Sequence, residues 1–435
     1  MPDCWHMRHA TGPMTTPTKP VLDPTESSKA GDADDDAQRF PYWRRNLQIL
    51  PLSNLLTSMG FALSFPFLPV MVQSLGVKDH LETWIGNMML VFYTISFVCG
   101  PIWGGIADHY GRKIMVLRAM LGMGFFMSLI PFAPSPLWFA FLFSLVGFFN
   151  GSSMSAQALI VANTPPARIG SALAMLETAM LVGRTMGPAV ATVMVAVVDK
   201  PHWLFWISGG LLLAGGLLVI VFVHEIKQLA PGPWKLQWMG SLRDLLAVPR
   251  IGLLYLLCFV FAALSSGNIM ILSVFVLQLL GTQGPEAGSQ AFWVGAVAMG
   301  LAISSVISLS LWGKLLDRVD PARVLVFTTL AAGLTQLPLI VLDSPLQLVI
   351  TRVAFGLTAS LMVPAIIRLL KSYAPAGMDS RAISFATSFQ FIAIGLAPFC
   401  AGIIGPLFGL RTYFALTALL TFVAFGLWLR SARRD

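Results

Sequence analysis

Charge is what this chain has least of. Only 11% of its 435 residues are Asp, Glu, Lys or Arg, whereas a soluble domain carries about 25%. That shortage argues against a soluble globular enzyme. Cysteine is scarce as well: Cys4 lies in a polar N-terminal stretch, and Cys99, Cys258 and Cys400 fall inside apolar runs, so no disulfide framework or metal-ligand spacing is visible. Of six histidines, two precede residue 10, and His80, His109, His202 and His224 fall at predicted helix ends. Walker loops, paired carboxylates and Cys/His clusters are all missing. ATP-driven pumping and metal catalysis are therefore not expected, no cofactor is implied, and no catalytic residue is assigned.

Apolar residues fill the space that charge leaves. They make up 56% of the chain, and the mean hydropathy is +0.76. A bilayer-spanning helix needs about 20 predominantly apolar residues, which leaves room for roughly a dozen crossings. Breaks by charge, Pro and Gly divide the chain into twelve candidate helices, near 45–74, 83–106, 114–132, 136–162, 169–198, 202–223, 250–279, 290–312, 323–342, 346–372, 380–408 and 411–430. Residues 1–38, with Asp32, Asp34, Asp35 and Asp36, lack the apolar core of a secretory signal and read as a disordered tail. Residues 224–249 carry Lys227, Lys235, Arg243 and, at their edge, Arg250, interleaved with Trp234 and Trp238, and read as a linker lying partly on the membrane surface. Two six-helix halves, 39–223 and 250–435, flank it.

The net charge of +8 belongs to topology rather than to nucleic-acid binding, because the bases flank apolar runs. One side of the membrane receives Arg39, Arg44, Arg45, Arg112, Lys113, Arg118, Arg168, the linker bases, Lys314, Arg318, Arg323, Lys371, Arg381 and the C-terminal arginines. The other receives only Lys78, Lys200 and Arg411. Positive residues stay inside, so both termini are expected in the cytoplasm and the number of spans is even.

Between the second and third runs lies Gly104-Gly-Ile-Ala-Asp108-His-Tyr-Gly111-Arg112-Lys113, a ten-residue stretch expected to be a turn. Glycines there let backbones approach, Asp108 can accept hydrogen bonds or face a helix N-terminus, and Arg112 and Lys113 mark the cytoplasmic side. A shift of 209 residues carries Gly104 onto Gly313, Asp108 onto Asp317, Gly147 onto Gly356, Pro166 onto Pro375 and Ser171 onto Ser380. Gly313-Lys-Leu-Leu-Asp317-Arg318 is thus a decayed second copy. The turn strongly resembles the signature loop of the major facilitator superfamily, in which the Asp holds the inward-closed state across the two halves. The resemblance implies an all-α membrane fold of twelve transmembrane helices in two pseudo-symmetric halves. The superfamily builds its substrate site between such halves near the midplane.

Trp43-Arg-Arg-Asn-Leu, Phe65-Pro-Phe-Leu-Pro-Val and Leu75-Gly-Val resemble the start of twelve-span bacterial drug:proton antiporters. Gly183-Arg184-Thr-Met-Gly187-Pro188 is similar to the antiporter motif that kinks helix 5. Two positions depart from that branch: His109 stands where it has Arg or Lys, and Phe143 stands where its helix 4 has Arg, four residues before Gly147. The 209-residue shift maps Phe143 onto Arg352, close enough to the far end of helix 10 to snorkel or, alternatively, to couple or gate.

Of twenty acids, only Glu177 lies well inside a span. It is eight residues into helix 5, about 12 Å at 1.5 Å per residue, and Arg184 lies about 10 Å deeper on the same face. Either would cost at least ~3 kcal/mol facing lipid, so both are expected to face a central cavity. Glu177 and Asp108 are the expected proton-coupling residues, with a structural water-bridged pair on helix 5 as the alternative. Further cavity candidates are Asn54, Phe61 and Phe65 on helix 1, Asn150 and Gln157 on helix 4, Asn268 on helix 7, Arg352, and Gln390 on helix 11. Each polar one is equally an interhelical hydrogen-bond partner.

The expected function is export of a small amphipathic or drug-like molecule against protons, by a monomer in the cell inner membrane that does not bind nucleic acid. An organic-anion transporter using Arg184 and Arg352 is the alternative. A non-transporting sensor is the third, disfavoured because neither tail nor linker can supply a folded extramembrane domain.

Overall fold

The computed structural model describes residues 40–77, 79–165, 168–197, 202–225, 243–248, 250–281, 287–316, 319–375 and 379–432. The tail expected over 1–38, most of the linker, and Asp317 and Arg318 lie outside the described residues. Long apolar runs with interior backbone bonding give twelve rods among the described residues: α1 Trp43–Ser74, α2 Leu81–Tyr110, α3 Arg112–Phe132, α4 Pro136–Asn163, α5 Ile169–Val197, α6 His202–Phe222, α7 Ile251–Leu280, α8 Ala287–Leu316, α9 Pro321–Ile340, α10 Pro345–Tyr373, α11 Asp379–Phe408 and α12 Leu410–Ala432. Eleven of these contain a segment long and apolar enough to cross a membrane. The exception is α5, the rod that carries Glu177 and Arg184.

Irregular turns interrupt these rods where the sequence weakens helical bonding. A 3₁₀ segment, Phe65–Phe67, surrounds Pro66 in α1, and another, Ile130–Phe132, surrounds Pro131 in α3. α4 breaks at Asn150 and Gly151, the latter at φ 118°. α7 contains a five-residue π segment, Ala263–Gly267.

Gly147 of α4 sits so close to α2 that a Cβ would meet the Phe92 carbonyl oxygen at 2.9 Å, and Gly356 of α10 would meet the Leu301 carbonyl of α8 at 2.9 Å. Both members of the second contact stand 209 residues after those of the first. Gly124 against Leu213 and Gly333 against Phe422 repeat with the same offset.

The buried apolar residues divide unevenly along the bundle axis. On the side away from the ends of α1 and α12 (the far side), one core joins Phe67, Ile85 and Phe143 to Ile271, Val294 and Phe414. On the near side there are two cores. Leu50, Met120 and Leu176 belong to one, while Tyr255, Phe355 and Trp428 belong to the other. Elements from the first six rods meet elements from the last six on the far side: α2 crosses α11, and α5 crosses α8. A Cβ on Gly86 would stand 2.5 Å from the Pro398 carbonyl oxygen, and one on Gly402 would stand 2.8 Å from that of Glu82. The Thr83 hydroxyl donates to the Gly402 carbonyl at 2.6 Å. The bundle is therefore sealed on the far side and divided on the near side.

Candidate functional site: a cavity between the two cores

The ten-residue turn expected at 104–113 does not form. α2 continues to Tyr110 and α3 starts at Arg112, so the reversal falls on Gly111 alone, at φ 108° and ψ 149°. Such a backbone conformation suits glycine. Sequence reasoning missed Glu225, just beyond α6. Its carboxylate accepts from the Arg112 amide at 2.6 Å and the Lys113 amide at 3.0 Å, filling the N-terminus of α3. The Lys113 ammonium in turn donates to the Ile220 carbonyl near the end of α6, at 3.1 Å. The signal was an acid just past an apolar run, but its partner is over a hundred residues away. At the corresponding start of α9, Asp320 caps its own helix by accepting from the Ala322 amide. Glu225→Gln is expected to lower stability by about 1 kcal/mol through two weakened cap bonds, read as a lower thermal midpoint in detergent. The surroundings of Gly104 and the side chain of Asp108 lie outside what the structure describes.

Behind that turn, the Arg118 guanidinium lies 3.9 Å from the centroid of the Trp103 ring and donates to the Asn150 carbonyl at 3.4 Å. Asn150 itself donates to the Ser96 hydroxyl at 3.3 Å and accepts from the Gly151 amide. It fastens the break in α4.

α5 presents two exposed faces. Met175, Thr178, Val182, Met186 and Val193 form a mostly apolar one, suited to lipid. Gly170, Ala174, Glu177 and Arg184 form the other. Two charged side chains on lipid would each be costly, which sets this second face apart from the apolar one. Glu177 accepts from the Gln157 side-chain amide at 2.5 Å. It makes no ion pair with Arg184 among the described residues. Arg184 has no hydrogen-bond partner there either, and stands within electrostatic reach of the Tyr93 phenol on α2. Tyr93 stacks on Phe391 of α11, their centroids 6.3 Å apart.

Above it the rings close ranks. Phe61 packs on Phe65 at 4.5 Å and on Phe92 at 6.0 Å, Phe92 stacks on Phe143 at 4.8 Å, and Phe65 meets Phe143 at 5.9 Å. Phe92 thus stands at the centre of an aromatic plug that Phe143 completes, and both are fully buried. Phe61 is half-buried at the edge of these rings, whereas Phe65 is buried among them.

Several other candidates are not in the cavity. Asn54 is buried and donates to its own helix at Leu50, while Asn268 is buried and accepts from the Tyr413 hydroxyl at 2.6 Å. Arg352 neither snorkels nor faces the cavity: it is fully buried and donates to the Leu264 carbonyl of α7 at 3.1 Å. Gln390, half-buried on α11, points its amide at the Cys258 sulfur. Gly183 and Gly187 serve close packing. A Cβ on Gly183 would lie 3.0 Å from the Met59 amide, one on Gly187 2.8 Å from the Met59 carbonyl oxygen, and α5 runs through Pro188 unbroken. At the sealed end, Glu82 is buried where α2 meets α11, a placement its position at a helix start did not announce.

A profile described as Major Facilitator Superfamily matches residues 51–308 and 256–435. Multidrug resistance protein MdtG of Serratia proteamaculans (strain 568) is 32% identical over 390 residues, covering 88% of this chain and 92% of its own. The protein of the same name from Salmonella dublin is 30% identical over 386 residues, covering 86% and 92%. Among solved structures, a bacterial homologue of the human lysosomal transporter Spinster, in an inward-facing and unoccupied conformation, superposes with a TM-score of 0.70 at 15% identity, over 90% of this chain and 97% of that one. The profile takes in the helical bundle from α1 to α12, and relatives at 30% identity and above run nearly its whole length: this chain belongs to the major facilitator superfamily.

Proposed function

We propose that the chain exports small amphipathic, drug-like molecules from the cytoplasm across the inner membrane in exchange for protons. Its two six-helix halves would alternate around the cavity, with both termini on the cytoplasmic side. The relatives' printed name, multidrug resistance protein, supports the substrate class. The repeated glycine contacts 209 residues apart support the two halves, and the basic residues on the near side support the orientation.

One observation supports the coupling: Glu177, the acid deepest in any of the rods, is held by a neutral amide rather than by a cation. A carboxylate so placed can release its hydrogen bond to Gln157 when it takes up a proton. The test is flux of a lipophilic cationic dye in everted vesicles. Accumulation that needs an imposed proton gradient and collapses with a protonophore is expected, and equal flux without the gradient would overturn the antiport reading.

A second reading, transport of organic anions, draws on Arg184, which has no anionic partner among the described residues. Arg184→Ala is expected to weaken anionic substrates about tenfold or more, the scale of one lost ion pair. Dye transport and thermal midpoint should change little. Inhibition constants across a panel of anionic and cationic compounds decide it.

A further inference from the structure

Arg352 has no part in the proposed cavity, yet it is among the largest fully buried side chains of the protein. It lies seven residues into α10, about 10 Å along that helix. A guanidinium in such a place costs several kcal/mol unless its donors are met, and intramembrane charges are seldom kept without a task. Here one donor is met, by the Leu264 carbonyl, and the ring of Phe355 lies 4.8 Å beneath the guanidinium carbon. Nε and Nη2 have no partner.

Leu264 lies inside the π segment of α7, Ala263–Gly267. A π segment holds one residue more than the α-helix around it. The bonding register slips by one, and a carbonyl of the widened turn is left without a backbone N–H. A carbonyl orphaned in hydrocarbon is as costly as a lost hydrogen bond, so it needs a donor. Arg352 donates to one carbonyl of this widened turn, that of Leu264, across the helix interface.

Beyond the bulge, the outer part of α7 closes the far side. Asn268–Leu280 contributes Ile271, Phe275 and Val276 to the shared core and packs against Phe65–Phe67 of α1 and against α2. A second tie, Tyr413 to Asn268, sits immediately after the bulge. The orientation of this outer segment therefore depends on the bulge, and the bulge depends on its donor.

We propose that Arg352 is a positioning residue that holds the π-bulge of α7, so setting the outer half of that helix in its far-side-closed position. The inference rests on the transport reading above for its purpose but not for its test. The two unpartnered donors of Arg352 are free to take other carbonyls of the same turn as α7 swings, so the guanidinium can track the hinge.

The experiment uses the full chain in proteoliposomes, with its native cysteines replaced and a single cysteine placed by Ser273→Cys. Ser273 is buried in the closed gate. A membrane-impermeant maleimide applied from the far side reads gate opening directly, whether or not a drug moves. Arg352→Met is expected to speed labelling about tenfold or more, the worth of one hydrogen bond from a charged donor. Arg352→Lys, which keeps a single charged donor, should fall between.

Deleting Ser266, an exposed residue of the bulge, should return α7 to plain α-helix and remove the orphan carbonyl. In that background Arg352→Met should no longer speed labelling, and a variant that fails to fold alone should fold again. Unchanged labelling in a folded Arg352→Met protein would overturn the proposal. So would failure of the deletion to rescue either folding or closure. Absence of drug flux with the labelling pattern intact would instead sink the transport reading and leave this one standing.

Discussion

Glu177→Gln should abolish uphill transport while leaving downhill exchange of the same substrate. The substitution keeps the shape of the side chain and its contact with Gln157 but removes the group that binds and releases a proton. Proton-driven accumulation in everted vesicles is expected to fall to the level of vesicles lacking the protein. Counterflow, in which labelled substrate exchanges for unlabelled with no gradient, should persist within about a factor of ten, as binding contacts other than one hydrogen bond are untouched. Sustained accumulation against a substrate gradient by this variant would place the coupling at Asp108 or another acid and end the case for α5.

A change at the far-side seal should be nearly as severe. Gly86→Val forces branched carbon into a space where even a Cβ would lie 2.5 Å from the Pro398 carbonyl oxygen and 3.0 Å from the Phe399 Cα. The obstacle is backbone, which cannot turn aside as a side chain can. Overpacking of this kind costs about 1–3 kcal/mol or more, and here the strain exists only while α2 and α11 are crossed tightly. It should therefore shift the equilibrium toward a far-side-open form by about tenfold or more. Faster maleimide labelling at Ser273→Cys, with transport reduced at every substrate concentration, is the expected result. A protein that labels and transports as the parent does would show that this crossing does not tighten in the cycle.

The twelve helices were legible because a bilayer leaves few alternatives: a long run with almost no charge must close its own backbone bonds. The 209-residue repeat was legible for a related reason, since glycines at tight crossings tolerate no replacement. Gly147 and Gly356 keep the same partners in each half. That α5 carries its two charges together on one face was legible from the seven-residue spacing of Glu177 and Arg184. Other features were hidden because they depend on residues far along the chain. Nothing local distinguishes Asp108 in a loop from Asp108 in the last turn of α2; Gly111 and the cap from Glu225 decide it. The π-bulge is equally hidden: Ser265-Ser266-Gly267 weakens a helix, but nothing in it says that the turn widens or that a distant arginine meets its carbonyl. Asn54, Asn268 and Arg352 were placed in the cavity by residue type alone, and side-chain polarity does not say which face of a helix meets its neighbour.

The aromatic plug also bears on energy conservation in the cell. Protons travel through proteins along chains of water and polar groups, each passing its proton to the next. Phe61, Phe65, Phe92 and Phe143 offer no such link, and Phe143 occupies the very spot where a drug:proton antiporter of the resembled branch has an arginine. On the proposed antiport, the seal would confine proton exchange at Glu177 to the near side, and the membrane's electrochemical gradient would not be short-circuited through the empty carrier. Replacing the rings with polar residues would trade tight stoichiometry for a leak.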